Sequence, residues 1–213
     1  EAACTQVRNP ATGELQYTSL TPADERTLGQ QEHPKALRQF GGAYEDKALQ
    51  AYVTRTGNRV KAASELGAEP FTFTLLDSDE VNAFALPGGF FFVNKGLILA
   101  ADNEAELAGV MAHEIAHVAA RHSMENQGKG KMLQYGMLAG ILFGGGIASA
   151  VLQNGGNIIG ALSMLKFTRG AEGEADKLGV QYLYAAGYDP TAMSTMFEKL
   201  ASQNKKKPGT LAK

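Results

Sequence analysis

The chain has 213 residues, which is enough for one sizeable domain. Its 20 basic and 22 acidic residues give a net charge of -2, so no strongly basic, nucleic-acid-binding surface is indicated. The single cysteine, Cys4, excludes an internal disulfide and a zinc site built from thiolates. Any metal ligands in this chain are therefore expected to be His, Asp or Glu side chains.

The first residues suggest a targeting signal. Ala2-Ala3-Cys4 is typical of the end of a bacterial lipoprotein signal, in which small residues precede a lipid-carrying cysteine. The alternative is a free cysteine close to an arbitrary chain start. The lipoprotein interpretation predicts a periplasmic protein that is anchored to a membrane without spanning it. Residues 1–20 are expected to be an N-terminal extension of a single domain that covers 1–213.

The next segment is predicted to be helical. Thr21 followed by Pro22, with acidic residues in the first turn, predicts a helix start, and Pro34 predicts an interruption. Apolar residues at helical spacing predict a second helix from Tyr44 to about Leu66. His33 lies beside the expected break with no second ligand nearby, so we expect an ordinary surface histidine.

A small antiparallel sheet is expected in the middle of the chain. Phe71–Leu76 alternates apolar and polar residues, and Asn82–Leu86, a Pro-Gly-Gly turn and Phe90–Val93 are typical of strand, turn and strand. If Phe90–Val93 is an edge strand, an extended substrate can pair with it, and Asn82, Phe90, Phe91 and Phe92 become candidate substrate-binding residues. The alternative is a hairpin with a purely structural role.

The strongest functional signal follows a short predicted helix from Lys95 to Ala101. In His113-Glu114-Ile115-Ala116-His117, within the run from Glu104 to Met124, two histidines lie four residues apart on one helical face, so both imidazoles can reach one ion. Glu114 lies beside that ion without being a ligand, where it can take a proton from water as a general base. The alternative, a surface helix with solvated histidines, is disfavoured by the apolar residues around them.

A third metal ligand has several candidates. His122 lies nine residues after His113, which places it on the opposite face if the helix continues, so it is expected near the site or exposed but not as a ligand. Glu172 and Asp176 are four apart on another predicted helix; Glu172 can bind zinc while Asp176 orients a histidine ligand. Glu174 is expected in solvent. If Glu172 proves dispensable for metal binding, Glu174 or His122 takes its place.

The segment from Met132 to Leu165 contains no charged residue and many glycines. Its two apolar pieces are each shorter than the roughly twenty residues that a membrane span needs. We therefore expect 132–165 to be a glycine-rich apolar hairpin packed near the site. A membrane hairpin is the alternative. Two further helices are predicted after it, from Arg169 to Tyr184 and after Asp189-Pro190.

Several motifs together resemble the family 48 metallopeptidases, which include the CAAX prenyl endopeptidases, HtpX-like heat-shock proteases and periplasmic quality-control proteases. The resemblance is carried by His113-Glu-x-x-His117, Phe167-Thr168-Arg169, Glu172-x-x-Ala175-Asp176, Asn82–Gly89, Gly96-Leu97 and Cys4 with Asn9–Gly13. It implies an α+β, mainly helical, zincin-like fold of the gluzincin type, with one zinc ion per chain. It also implies that Glu172 is the third ligand and that Asp176 supports a histidine.

The resemblance further implies polypeptide substrates, including misfolded envelope proteins. Members of the family commonly continue with a His-Pro segment and an arginine near the metal. Nothing of that form precedes Lys213, so the group that stabilises the oxyanion is not identified here. The predicted function is zinc-dependent endopeptidase in envelope quality control. The alternatives are a protease-derived, chaperone-like binding module and a membrane-embedded prenyl protease, the latter disfavoured by the short apolar segments.

Overall fold

The computed structural model describes residues 5–18, 21–122, 167 and 169–206. Their elements are β1 (Thr5–Arg8), β2 (Leu15–Thr18), α1 (Pro22–Gln39), α2 (Lys47–Ala62), β3 (Thr72–Leu76), β4 (Ala83–Leu86), β5 (Phe90–Asn94), α3 (Lys95–Ala100), α4 (Glu104–Ala119), α5 (Arg169–Ala185) and α6 (Thr191–Lys206). This α+β, mainly helical architecture confirms the predicted fold class. Cys4 and the predicted hairpin at 132–165 lie outside the described residues.

The central sheet has the strand order β3-β5-β4. β5 pairs with β3 in parallel and with β4 in antiparallel orientation, so the sheet is mixed and the prediction of an antiparallel sheet was wrong in this detail. The error has a simple cause: the hairpin from β4 to β5 folds so that β5 lies between β4 and the earlier strand. The predicted turn at 87–89 is confirmed, and both Gly88 and Gly89 have positive φ there.

Helix α1 begins as the sequence predicts but does not stop at Pro34. Thr21 caps the helix: its side chain accepts a hydrogen bond from the Asp24 amide, and the Asp24 side chain accepts one from the Thr21 amide. The helix then continues through Pro34 to Gln39, contrary to the expected interruption. Packing overrides the local preference, because Ala36, in the turn after Pro34, is fully buried against the aromatic side of the sheet.

Helix α4 lies at the centre of the molecule and is buried on most sides. The Asn103 side chain caps it by accepting a hydrogen bond from the Glu106 amide. The Glu106 carboxylate accepts a hydrogen bond from the backbone amide of Asp102. Met111, Ala112, Ile115 and Ala116 have no solvent-exposed surface. Helices α2, α5 and α6 and the sheet all pack against α4, so the side chains of its histidines are fixed by the core.

The N-terminal strands β1 and β2 form a separate antiparallel hairpin. Asn9 in its turn is buried and donates a hydrogen bond through Nδ2 to the Ala120 carbonyl, 2.7 Å away, at the end of α4. The hairpin is therefore tied to the metal-motif helix. Among the described residues, the helices are all too short or too polar to cross a membrane.

Candidate metal centre

Three predicted ligands come together between α4 and α5. The Nε2 atoms of His113 and His117 lie 3.0 Å apart. Glu172 places Oε2 3.5 Å from Nε2 of His113 and Oε1 3.8 Å from Nε2 of His117. The two imidazoles are buried and the carboxylate is partly exposed. Within the described residues, this is the cluster of His, Asp and Glu groups whose ligand atoms are close enough to hold one ion.

The spacing of these atoms fits a tetrahedral metal ion. Bonds of about 2.0–2.1 Å in tetrahedral geometry separate ligand atoms by roughly 3.3 Å. The three separations of 3.0, 3.5 and 3.8 Å bracket that value. Two neutral imidazoles that face each other through Nε2 present lone pairs to each other, which is unfavourable unless a proton or a cation lies between them. The donor set of two imidazoles and one carboxylate is one that zinc takes in catalytic sites.

The surroundings of His117 favour its neutral, metal-binding form. Burial, followed by the nearby His113 and His122, lowers the pKa of His117 to about 2. The Phe167 ring stacks on the His117 imidazole at 4.1 Å between centroids, and Phe197 of α6 meets His113 edge-on at 5.0 Å. Each of the two imidazole rings is therefore fixed in part by contact with one aromatic ring.

Asp176 lies where the sequence places it, on the outer nitrogen of a ligand histidine. Its Oδ1 is 3.0 Å from Nδ1 of His113. The contact does not meet the geometry of a hydrogen bond at Nδ1, so it is a close approach of the two side chains. A carboxylate at this distance from the outer nitrogen is within reach of the role expected for Asp176, which is to orient a ligand histidine.

His122 is fully buried and contacts His117 from the side away from the three ligand atoms. Its Nδ1 lies 2.8 Å from Nδ1 of His117, and its Nε2 lies 3.0 Å from Oε2 of Glu174. The prediction of a solvated Glu174 was therefore wrong. The prediction that His122 lies on the opposite face assumed that the helix continues. It does not continue, because α4 ends at Ala119 and Arg121 adopts a left-handed conformation with φ of 52°. That turn folds His122 back beside His117.

Glu114 lies between the two histidines in sequence and has partial solvent contact, although protein atoms surround its carboxyl group. Burial, followed by the negative charge of Glu172, raises the pKa of Glu114 to about 8 in the metal-free chain. A carboxyl group with a raised pKa beside a metal site is suited to proton transfer near neutral pH. In the described part of the chain, Glu114 does not belong to the cluster of candidate ligands.

A cleft of about 310 Å3 opens beside the candidate metal centre. Of the three candidate ligands, His117 lines it, together with Phe71, Ala85, Leu86 and Val118. The cleft thus runs from His117 toward the end of β4. An extended peptide that filled it would pass close to the ligand atoms.

The prediction that the strand from Phe90 is an edge strand was wrong. β5 is paired on both edges, and Phe90, Phe91 and Phe92 are buried, so these residues have no free edge to offer a substrate. Continuous apolar character reflects burial on both faces, which is typical of a central strand. Among the described residues, β4 lies at an edge of the sheet, and no described strand pairs with its outer side. Asn82 directly precedes β4, and its carbonyl accepts a hydrogen bond from the Asn94 amide.

Comparison with known sequences agrees with the site. The profile of Peptidase family M48 matches residues 47–209. The chain is 36% identical over 204 residues to the beta-barrel assembly-enhancing protease of Escherichia coli (strain K12), covering 91% of this chain and 41% of that protein. It is 30% identical over 196 residues to the metalloprotease LoiP of the same organism, covering 88% of this chain and 73% of LoiP. The chain is 29% identical over 199 residues to the mitochondrial metalloendopeptidase OMA1 of Schizosaccharomyces pombe, covering 90% of this chain and 56% of that protein.

The chain spans less than half the length of the beta-barrel assembly-enhancing proteases it matches, at 34% in Yersinia pestis and 41% in Escherichia coli. The family match, in contrast, includes α4, α5 and α6 in full, and with them every candidate ligand. By sequence, the chain belongs to peptidase family M48.

Proposed function

We propose that this chain is a zinc-dependent endopeptidase in which His113, His117 and Glu172 bind one zinc ion and Glu114 is the general base. The proposal depends on one observation. Two buried imidazole nitrogens lie 3.0 Å apart, and a carboxylate from a helix far along the sequence lies close to both. Family membership supports it, because relatives such as LoiP and OMA1 are named metalloproteases or metalloendopeptidases.

The chemistry divides between the ion and the chain. Zinc bound here supplies Lewis acidity, which acidifies a water molecule and polarises a peptide carbonyl. Glu114 takes a proton from the attacking water and returns it to the leaving amine. A nearby cation favours the charged form of Glu114 over the neutral form that burial imposes in the metal-free chain. Phe167 and Phe197 pack against the imidazoles of His117 and His113 and hold them in place.

Glu114→Gln tests the assigned role of the base. The variant keeps the shape of the side chain and lies outside the ligand cluster, so we expect wild-type zinc content and a loss of casein hydrolysis of about 10²–10⁴-fold. Chelation should abolish wild-type activity, and added zinc should restore it. Casein cleavage by Glu114→Gln at the wild-type rate would contradict the proposal. The same variant tests the chaperone-like alternative, since binding of unfolded clients without cleavage does not need this carboxylate.

We further propose that an extended substrate segment pairs with β4. The Asn94 amide bonds to the Asn82 carbonyl, so residues 82, 84 and 86 face β5 through their backbone groups. Because antiparallel strands alternate, the backbone N–H and C=O groups of Ala83 and Ala85 point to the opposite edge, with which no described strand pairs. Ala85 also lines the cleft beside His117. Pairing through the backbone gives affinity with little sequence preference.

Ala85→Pro tests this binding mode, because it removes an outward-pointing amide while leaving the bonds between β4 and β5 in place. We expect kcat/KM for peptide substrates to fall while zinc content stays at the wild-type level. Ala85→Val is the matched control, since it adds volume at the same position but keeps the amide. Equal activity of Ala85→Pro and Ala85→Val would argue against pairing with this edge.

We also propose that the protein acts on misfolded envelope proteins in the bacterial periplasm. The support is the name of its relatives, beta-barrel assembly-enhancing protease, since bacterial β-barrels belong to the outer membrane. Lipid attachment at Cys4 is part of this proposal. The mass of the native protein checks it: an acylated N-terminal peptide is expected, and an unmodified Cys4 thiol would contradict lipid anchoring.

A further inference from the structure

We infer that His122 and Glu174 form a hydrogen-bonded chain that fixes the tautomer and ring orientation of His117. Both are positioning residues, because they act on the metal ligand and not on the substrate. The inference rests on the proposed metal site and adds two residues to it.

The three groups form a continuous chain from the candidate ligand to the protein surface. Nδ1 of His117 lies 2.8 Å from Nδ1 of His122, and Nε2 of His122 lies 3.0 Å from Oε2 of Glu174. The exposed fraction falls from 35% for the Glu174 side chain to 1% for His122. Two imidazoles buried this deeply require hydrogen-bond partners, and each supplies one for the other.

One assignment of protons satisfies every contact. If Nε2 of His117 gives its lone pair to a metal, its proton is on Nδ1 and must be donated. Nδ1 of His122 is the atom in position to accept it, so the proton of His122 is on Nε2. That proton then points to Glu174, a carboxylate that accepts. Donors and acceptors therefore alternate without conflict from Glu174 to the ligand atom.

Helix α5 thus serves both ligand histidines, by two routes. Asp176 contacts the outer nitrogen of His113 directly, at 3.0 Å. Glu174 reaches the outer nitrogen of His117 through His122. Carboxylate–histidine–metal arrangements raise ligand basicity and fix ring orientation, and loss of such a partner typically weakens metal affinity about 10–100-fold. The turn at Arg121, with φ of 52°, is what brings His122 into this position.

Variants of His122 separate positioning from packing. His122→Leu fills a similar volume but can neither accept nor donate. In His122→Asn the side-chain oxygen takes the place of Nδ1 and can accept from His117, while the bond to Glu174 is lost. We expect His122→Leu to weaken zinc affinity by about 10–100-fold and His122→Asn to recover most of that loss. Glu174→Gln should have a smaller effect than His122→Leu, and Glu198→Gln, an exposed charge change on α6, none.

The measurement is zinc titration of the chelated full chain against a chromophoric competitor, with the melting temperature of each metal-free variant recorded alongside. Proton NMR of the zinc-loaded chain adds a direct signature: a slowly exchanging, downfield Nδ1–H signal from His117 in wild type and His122→Asn that is absent in His122→Leu. A role in packing alone would instead lower the metal-free melting temperature of both variants and leave this signal unaffected.

The results for His122→Leu and His122→Asn decide whether His122 positions His117. The inference is overturned if His122→Leu binds zinc as tightly as wild type, if His122→Asn is as weak as His122→Leu, or if affinity falls only in step with metal-free stability. Wild-type chain that binds no zinc overturns the proposed function and this inference together. Wild-type chain that binds zinc and cleaves casein, with an unaffected His122→Leu, overturns this inference alone.

Discussion

At the scale of single residues, burial acts in opposite directions on the two kinds of ionisable group at the site. It raises the pKa of Glu114 to about 8 and lowers that of His117 to about 2. Both side chains are therefore mostly uncharged at neutral pH in the metal-free chain. For His117 this is already the form that binds a metal. For Glu114 the charged form requires a cation nearby, so the base is available when the site is loaded.

His33 shows the same effect of burial away from the site. It was expected at the surface, but its Nε2 lies 3.2 Å from Oγ1 of Thr74 and its ring packs 5.1 Å from that of Phe92. The prediction was wrong because Pro34 does not end α1, so His33 stays on the helix and packs against the sheet. Burial lowers the pKa of His33 below 6.5.

This shift predicts acid sensitivity. The unfolded chain takes up a proton at His33 at higher pH than the folded chain, so the free energy of unfolding falls as pH drops through 6.5 toward the folded pKa. His33→Gln does not titrate. We expect urea unfolding of the metal-free chain to show a smaller loss of stability between about pH 7 and pH 5 for His33→Gln than for wild type. Parallel stability curves for the two proteins would rule out this contribution.

At the scale of elements, the sequence predicted those features that depend on neighbouring residues. The cap at Thr21 and the turn at 87–89 are local, and both are observed. The pairing of His113 with His117 and of Glu172 with Asp176 follows from helical spacing alone. These local rules were sufficient to identify both halves of the candidate metal centre.

The features that the sequence did not predict depend on distant contacts. The continuation of α1 through Pro34 depends on burial of Ala36 against residues of the sheet. The order β3-β5-β4 is decided by how the hairpin folds onto β3. The position of His122 depends on a left-handed residue, Arg121, whose guanidinium is paired with Glu25 of α1 at 2.5 Å. A non-glycine residue with positive φ leaves no sequence signal to detect.

Two glycines of α5 differ in what surrounds them, and this gives a prediction about helix packing. A Cβ added at Gly179 would lie 3.2 Å from the backbone of His113, whereas one added at Gly173 meets no atom of the described residues within 4 Å. Gly173→Ala should therefore stabilise the chain by about 0.5–1 kcal/mol through helix propensity. Gly179→Ala should stabilise the chain less than this or destabilise it, because α5 must move away from α4 beside His113.

Thermal unfolding and zinc titration of both variants check this. Gly179→Ala is expected to weaken zinc binding, since Glu172 and His113 lie on the two helices that separate. Gly173→Ala is the matched control on the same helix, one residue from Glu172, and keeps that spacing. Equal stability and equal zinc affinity of the two variants would show that the close approach at Gly179 is not required.

At the scale of the whole molecule, a bound ion would join parts of the chain that are distant in sequence. His113 and His117 lie on α4, and Glu172 lies on α5, which begins at Arg169. The N-terminal hairpin is connected to the same region through Asn9 and Ala120. A ligand that binds only the folded state stabilises it according to its concentration relative to Kd.

Zinc should therefore raise the melting temperature of the chelated chain. At free zinc about 100 times Kd, the expected stabilisation is about 2.7 kcal/mol. Glu172→Ala should lose most of this shift, while its metal-free melting temperature should stay close to that of wild type because Glu172 is partly exposed. The same zinc-induced shift in Glu172→Ala as in wild type would mean that zinc stabilises the chain from another site.

The central claim is that Glu172 completes a zinc site with His113 and His117. Its most direct test is zinc content by atomic emission after purification without added metal, for wild type, Glu172→Ala and the exposed control Glu198→Ala. We predict one zinc ion per chain in wild type and in Glu198→Ala, and almost none in Glu172→Ala. Absence of zinc from wild type, or full zinc content in Glu172→Ala, would contradict the claim.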